Sequence, residues 1–324
     1  MGHYKKIVGI AALLMVLCIT ASLMSDRFLI AVNLENLIRR ISLFGILGIG
    51  AAFVIITSGV DLSIGSIVCL VGTTFPYLVV KVGWPIIVAL AFMLALAALL
   101  GALHGFLITS LRLQPFIVTL CGLLLYRGVA RGLTGDQTQG FGTGYQTLRA
   151  ISIAKIPLFG LELPASFFVM LGVAIICSII LRYTVYGRYL YAVGRNELTV
   201  RYSGINASRV IGSAYVISAL LSGVGGVLFI LDINSAQPSD FGNSYELYAI
   251  AAAVLGGCSL RGGEGGMLGV LLGTAIIQVL RNMIVLLDIP TELEFAIIGG
   301  VILAGVVTEE LVRRLRWRRA GTKL

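Results

Sequence analysis

Apolar residues in this chain arrive in continuous runs rather than in alternation. Ten such runs stand out, over 7–24, 41–57, 64–80, 85–108, 116–133, 165–181, 211–231, 247–258, 267–287 and 295–312. A helix that crosses a bilayer needs about 20 predominantly apolar residues, and most of these runs have about that length. Strands of a membrane barrel would instead alternate in polarity over about ten residues. The pattern predicts an all-α polytopic transmembrane bundle of about ten spans. It fills 1–324 as a single transmembrane domain and leaves no room for a separate soluble one.

Two places break the pattern. Thr57-Ser58-Gly59-Val60-Asp61-Leu62-Ser63 is polar and glycine-bearing, yet it separates apolar runs too closely for a loop. Gly256-Gly257-Cys258-Ser259-Leu260-Arg261-Gly262-Gly263-Glu264 follows an apolar run of only about half the length a span needs. Irregular backbone at membrane depth persists only where protein buries it or where it lines a wet cavity, and interrupted helices in transporters mark the substrate path. On that reading Ser58, Gly59, Asp61, Ser63, Gly256, Gly257 and Ser259 are candidates for a translocation pathway. The alternative is a pair of hairpin turns at the membrane surface, for which Gly and Ser are ordinary residues. Gly265, Gly269 and Gly273, and likewise Gly101 and Gly105, recur every four residues. That spacing lets helix backbones approach closely.

Composition agrees with a membrane environment. Of 324 residues, 58% are hydrophobic and 12% charged, against roughly 25% charged in soluble domains. The net charge of +9 does not lie along one face, so nucleic acid is not an expected partner. Arg313, Arg314, Arg316, Arg318, Arg319 and Lys323 crowd the C-terminus, and Lys5 and Lys6 lie near the N-terminus. Basic residues concentrate on cytoplasmic segments, which places both termini inside. The longest polar run, 183–210, then also falls inside, with Arg188, Arg195, Arg201 and Arg209 against the single acid Glu197. Its charge admits two readings: a topology-setting loop, or a docking surface for a soluble partner. Segment 134–164 and the acidic turns around Asp240 and 288–294 fall outside. Arg39 and Arg40, at the outer end of the second run, are expected to snorkel toward the headgroups.

Candidate chemistry is sparse. There is no Gly-Lys pair, hence no phosphate-cradling loop of the G-x-x-x-x-G-K-[ST] type. Cys18, Cys69, Cys121, Cys177 and Cys258 are scattered singly in apolar runs, a pattern of small hydrophobes rather than disulfides or metal ligands. Neither a catalytic constellation nor a metal site is expected. Ionisable residues within spans usually serve transport; here they reduce to Arg127, Arg131, Arg281, Asp61 and Glu264. That is a thin supply of carboxylates for ion coupling. Energy is expected to enter from another subunit, although a stand-alone ion-coupled carrier or channel remains the alternative.

Three stretches together resemble the permease subunits of bacterial ABC sugar importers, the branch with ribose, xylose, arabinose and galactose permeases. They are Ile55-Ile56-Thr57-Ser58-Gly59-Val60-Asp61-Leu62-Ser63-Ile64-Gly65-Ser66, the segment from Ala192-Val193-Gly194-Arg195-Asn196-Glu197 to Ser203-Gly204-Ile205-Asn206, and Val254-Leu255-Gly256-Gly257 through Gly265. Thr199-Val200 stands where such permeases often carry two alanines, and Ser58-Gly59 where Gly-Gly is usual. The resemblance implies an inner-membrane permease that pairs with an identical or different second permease. Cytoplasmic ABC ATPase subunits would hold ATP and magnesium, so this chain binds no cofactor, and a periplasmic sugar-binding protein would deliver solute. It further implies that Gly194, Asn196, Glu197, Arg201, Gly204 and Ile205 dock the ATPase.

Overall fold

The computed structural model describes residues 2–158, 161–305 and 307; the C-terminal basic cluster and the end of the last apolar run lie outside them. The chain is helical almost throughout: α1 (Gly2–Met24), α2 (Ala31–Ile56), α3 (Ile64–Pro76) continued by a π-helical turn Tyr77–Lys81, α4 (Ile86–Thr109), α5 (Pro115–Thr134), α6 (Gln146–Ile153), α7 (Ala165–Tyr183), α8 (Val185–Arg195), α9 (Glu197–Tyr202), α10 (Ala207–Ile233), α11 (Tyr245–Leu255) and α12 (Met267–Leu286). A last apolar helix, α13, covers Glu294–Gly305. The only strands among the described residues, β1 (Lys155–Leu158) and β2 (Leu161–Pro164), form an antiparallel hairpin. Eight helices have the length and composition to cross a membrane; α11 and α13 are apolar but short.

Burial grades from centre to rim. In α2, 78% of the apolar window is buried, while in α1 the share is 6%. A helix that is hydrophobic all round belongs in the middle of a bundle, and α2 places Ile46, Leu47, Ile49 and Phe53 there, each with essentially no exposure. It is flanked by α10, α11, α12 and α7, and α10 in turn carries α3 and α4. Lipid tails are as apolar as leucine, so helices associate here through close packing rather than exclusion of water. The small-residue seams provide it. A β-carbon on Gly101 would come 2.6 Å from the Tyr215 carbonyl oxygen of α10, and one on Gly105 would come 2.7 Å from Gly212 Cα. Gly269 and Gly273 of α12 meet the Gly256 and Ala252 carbonyls in the same way. Gly265 precedes α12 and packs against Cys258 and Ile56 instead.

The expected snorkelling arginine is paired: Arg39 lies 3.6 Å from Asp232 at the end of α10. Arg281 of α12 contacts Glu294 at 2.7 Å and sits over the Tyr248 ring, 4.7 Å from its centroid. At the hairpin, the Lys155 ammonium meets Glu162 at 2.6 Å and Glu35 of α2 at 3.1 Å. Those hydrogen bonds, Glu162 first, hold its pKa above the ordinary lysine value.

Overpacking a tight core costs about 1–3 kcal/mol. Gly101→Val is therefore expected to lower the thermal stability of the detergent-solubilised chain by that much. Gly128→Val, where nothing lies within 4 Å of the new β-carbon, is expected to leave the melting temperature unchanged.

Candidate functional site

Three separate parts of the sequence converge beyond the last turn of α2. Ser58, in the left-handed backbone region with φ 65°, points its hydroxyl at two carbonyls, Gly194 of α8 at 3.0 Å and Arg261 at 2.9 Å. Gly263 N donates to Ile56 O at 2.8 Å. No side chain fits between α8 and α2 at this point, because a β-carbon on Gly194 would overlap the Ile56 carbonyl. Gly262 and Gly263 adopt φ of 80° and 71°, values that favour glycine. Tyr191 of α8 closes the far side by donating to Gly265 O at 2.9 Å. Burial pushes its phenol up to about 12, so the proton it donates stays on at neutral pH. Lys6 of α1 adds an ion pair to Glu264 at 3.0 Å. The end of α2, helix α8 and the 256–266 turn thus form one joint.

From this joint the chain re-enters the bundle. Asp61 is 2% exposed; its Oδ1 accepts from Ser63 N at 2.9 Å and Ser63 Oγ at 2.6 Å, and its Oδ2 accepts from Ser218 Oγ at 2.7 Å. Ser218 is eleven residues into α10, about 16 Å along the axis at 1.5 Å per residue. Asp61 therefore lies well inside the bundle, beside the start of α3, where a helix N-terminus favours negative charge. The Val60 carbonyl accepts from Tyr215 at 3.5 Å and Thr119 at 3.4 Å. His104 and Tyr126 pair nearby at 2.7 Å. Gly59, Asp61 and Ser63 are all buried, whereas Ser58 is exposed.

A second interruption occurs where a surface turn was expected. After α10 the segment around Asp240 does not stay beyond the helix ends but lies against the middle of α3 and α5. Arg127 of α5 donates to Pro238 O at 3.3 Å and Ser239 O at 3.0 Å. Cys69 Sγ donates to Pro238 O at 3.3 Å, and the Gly242 and Gly65 backbones touch. α11 starts from that depth, with Glu246 buried against Gly65 and Tyr245 in the cluster of Phe44, Phe229 and Phe241. The half-length run 247–258 is short because its first end begins inside the bundle. The 256–266 segment, by contrast, is a tight turn at the joint, with Gly256 and Cys258 buried and Gly257 and Ser259 half-buried. Two units of opposite direction result: α2, a break and the span α3; then α10, a break and the short helix α11. α3 packs along α10 and α11 along α2.

The polar segment 183–210 folds into two short helices, each held by a side-chain cap. Thr184 Oγ1 accepts from Gly187 N at 3.2 Å, Asn196 Oδ1 from Thr199 N at 3.0 Å, and Asn206 Oδ1 from Arg209 N at 3.0 Å. Glu197 and Arg201 pair at 2.6 Å across one turn of α9. Gly204, φ 78°, terminates that helix, and Ile205 N donates back to Val200 O at 3.3 Å, a glycine-terminated helix end. Asn196, Arg201 and Gly204 are exposed and Glu197 is half-exposed. Gly194 is buried in the joint and Ile205 packs against the core. Sequence reasoning overlooked Leu198 and Tyr202, 66% and 89% exposed on α9; an apolar pair inside a polar run was the available signal.

Residues 33–306 match the family described as branched-chain amino acid transport system / permease component. The chain belongs to this permease family. It is 36% identical over 303 residues to the ribose import permease of Escherichia coli, covering 91% of each chain. It is 36% identical to that of Bacillus subtilis, with 91% and 90% covered, and 30% identical to the E. coli xylose transport system permease, with 96% and 93% covered. No solved structure matches. The permease is a multi-pass protein of the inner membrane, as its relatives and apolar helices establish.

A lost hydrogen bond costs about 1 kcal/mol. Ser58→Ala is expected to destabilise the permease on that scale in thermal unfolding. Gly194→Ala, which must push α8 off α2, is expected to do more, by about 1–3 kcal/mol. An unchanged melting curve for Gly194→Ala would contradict the close contact.

Proposed function

We propose that this permease imports a monosaccharide or similar neutral polar solute by alternating access, driven by separate cytoplasmic ATPase subunits that hold the ATP and magnesium. A periplasmic sugar-binding protein delivers the solute, and a second permease, identical or different, completes the pathway. The observation that carries the reading is the joint: the α8–α9 segment grips the end of α2 at the point from which the buried Asp61 break departs. A push on α9 thereby reaches the intramembrane break without passing through flexible chain. The relatives named for ribose and xylose support the solute class, as does the scarcity of unpaired charge inside the bundle.

The exposed face of α9, with Asn196, Glu197, Leu198, Arg201 and Tyr202, serves as the docking surface. Gly194 and Ile205 support it from within, and Gly204 shapes the turn. Among the pathway candidates, Asp61 and Ser63 act as the pivot of the first break. Ser58, Gly256, Gly257 and Ser259 belong to the joint, and Gly59 gives the passage its clearance beside Tyr215. The segment around Asp240 is the matching break of the second unit, so that α2, α3, α11 and α12 reshape the route together.

One observation favours a second reading, an ion-coupled carrier: Asp61 is a carboxylate deep in the bundle, a feature common in such carriers. Its oxygens, however, are engaged by three donors of the same chain. In proteoliposomes containing only this chain, no gradient-driven sugar uptake is expected. Uptake that Asp61→Asn abolishes would favour the carrier. In the assembled transporter, replacing Leu198 and Tyr202 with glutamate, or Glu197 with lysine, is expected to reduce solute-stimulated ATP hydrolysis at least about tenfold, the scale of a 1.4 kcal/mol change. Unchanged stimulation would overturn the docking assignment.

A further inference from the structure

We propose that the groove between α4 and α10, at the end of the bundle carrying α8 and α9, binds one anionic phospholipid of the adjoining leaflet. The groove is shallow and open on its outer side, with a volume of about 420 Å³. Its floor is the backbone contact of Gly105 with Gly212. Its walls are apolar, from Ala102, Phe106 and Val216, and they run into the exposed side of α4 that presents Leu99 and Leu103. The mouth is polar, with Ser110, Ser208 and Arg209.

The charge at that mouth selects the occupant. Arg209 is exposed, and its guanidinium has no ion-pair partner among the described residues. Arg201 reaches the same rim, donating to Ser208 Oγ at 3.3 Å, and its own charge is balanced by Glu197. One positive charge is left over beside the first turn of α10, where helix amides also favour an anion. A guanidinium matches a phosphate oxygen pair in geometry. A free phosphate would satisfy that end but leave the apolar wall uncovered, whereas a phospholipid supplies both a phosphodiester for the mouth and a chain for the wall. Basic pockets between membrane helices are known headgroup sites.

The test uses native mass spectrometry of the full chain in mild detergent, titrated with phosphatidylglycerol and, separately, phosphatidylcholine. Wild type is expected to retain phosphatidylglycerol preferentially. Arg209→Gln is expected to cut that retention about tenfold, on the scale of one charge-assisted contact. Ala102→Trp, which fills the groove without altering charge, is expected to cut retention likewise. Arg188→Gln, an exposed arginine at the same end but outside the groove, is expected to change nothing. Equal retention of both lipids by wild type would overturn the proposal. So would an Arg188→Gln effect as large as that of Arg209→Gln, or displacement of the lipid by an equal concentration of glycerol phosphate.

Discussion

A bilayer interior provides no water for an unpaired peptide group, so every departure from the helix inside this bundle requires partners of its own. That constraint decides where the chain can bend. The first break is permitted because Asp61 accepts from Ser63 and Ser218, and because Tyr215 and Thr119 answer the Val60 carbonyl. The second is permitted because Arg127 and Cys69 answer the carbonyls of Pro238 and Ser239. Both breaks are therefore fixed points of the fold, each tied to a helix from elsewhere in the sequence.

The same constraint explains why the breaks sit beside glycine seams. Irregular chain occupies space between helices, and it fits where small residues let backbones approach, as at Gly65 against Gly242 and Gly194 against Ile56. Helices packed on such seams have little apolar driving force to oppose sliding. What holds them in register is a short list of directional bonds. The joint at Ser58 concentrates several of these at one end, and it is the place where the start of the first break is hydrogen-bonded to α8, Ser58 Oγ donating to Gly194 O.

Much of this was legible in the sequence. Continuous apolar runs fixed the class and nearly every span, because a bilayer imposes length directly. The joint was half legible: the runs around Ser58, Gly194 and Gly263 stood out as polar and glycine-rich, but nothing local indicated that they touch. The second break was hidden. The half-length run 247–258 signalled an interruption, yet glycines drew attention to 256–266, while the segment around Asp240 looked like any acidic outer turn. Its identity depends on Arg127, more than a hundred residues away. Asp61 stood in a stretch that suited either a pathway or a surface turn, and the residue that holds it inside the bundle, Ser218, lies 157 positions on. Arg39 is paired with Asp232, 193 positions on. Long-range pairing, not local propensity, decided each of these.

The central claim is that α8 and the 256–266 turn, bridged by Ser58 at the end of α2, move as one body. Spin labels at exposed positions, one on Arg188 of α8 and one on Arg261 of the 256–266 turn, would report it in a cysteine-free background of the assembled transporter. The account predicts that this distance holds within about 2 Å between nucleotide-free and ATP-bound states, the backbone shift separating rigid interfaces from rearranging ones. A change of several ångströms between those two labels, with transport intact, would contradict it.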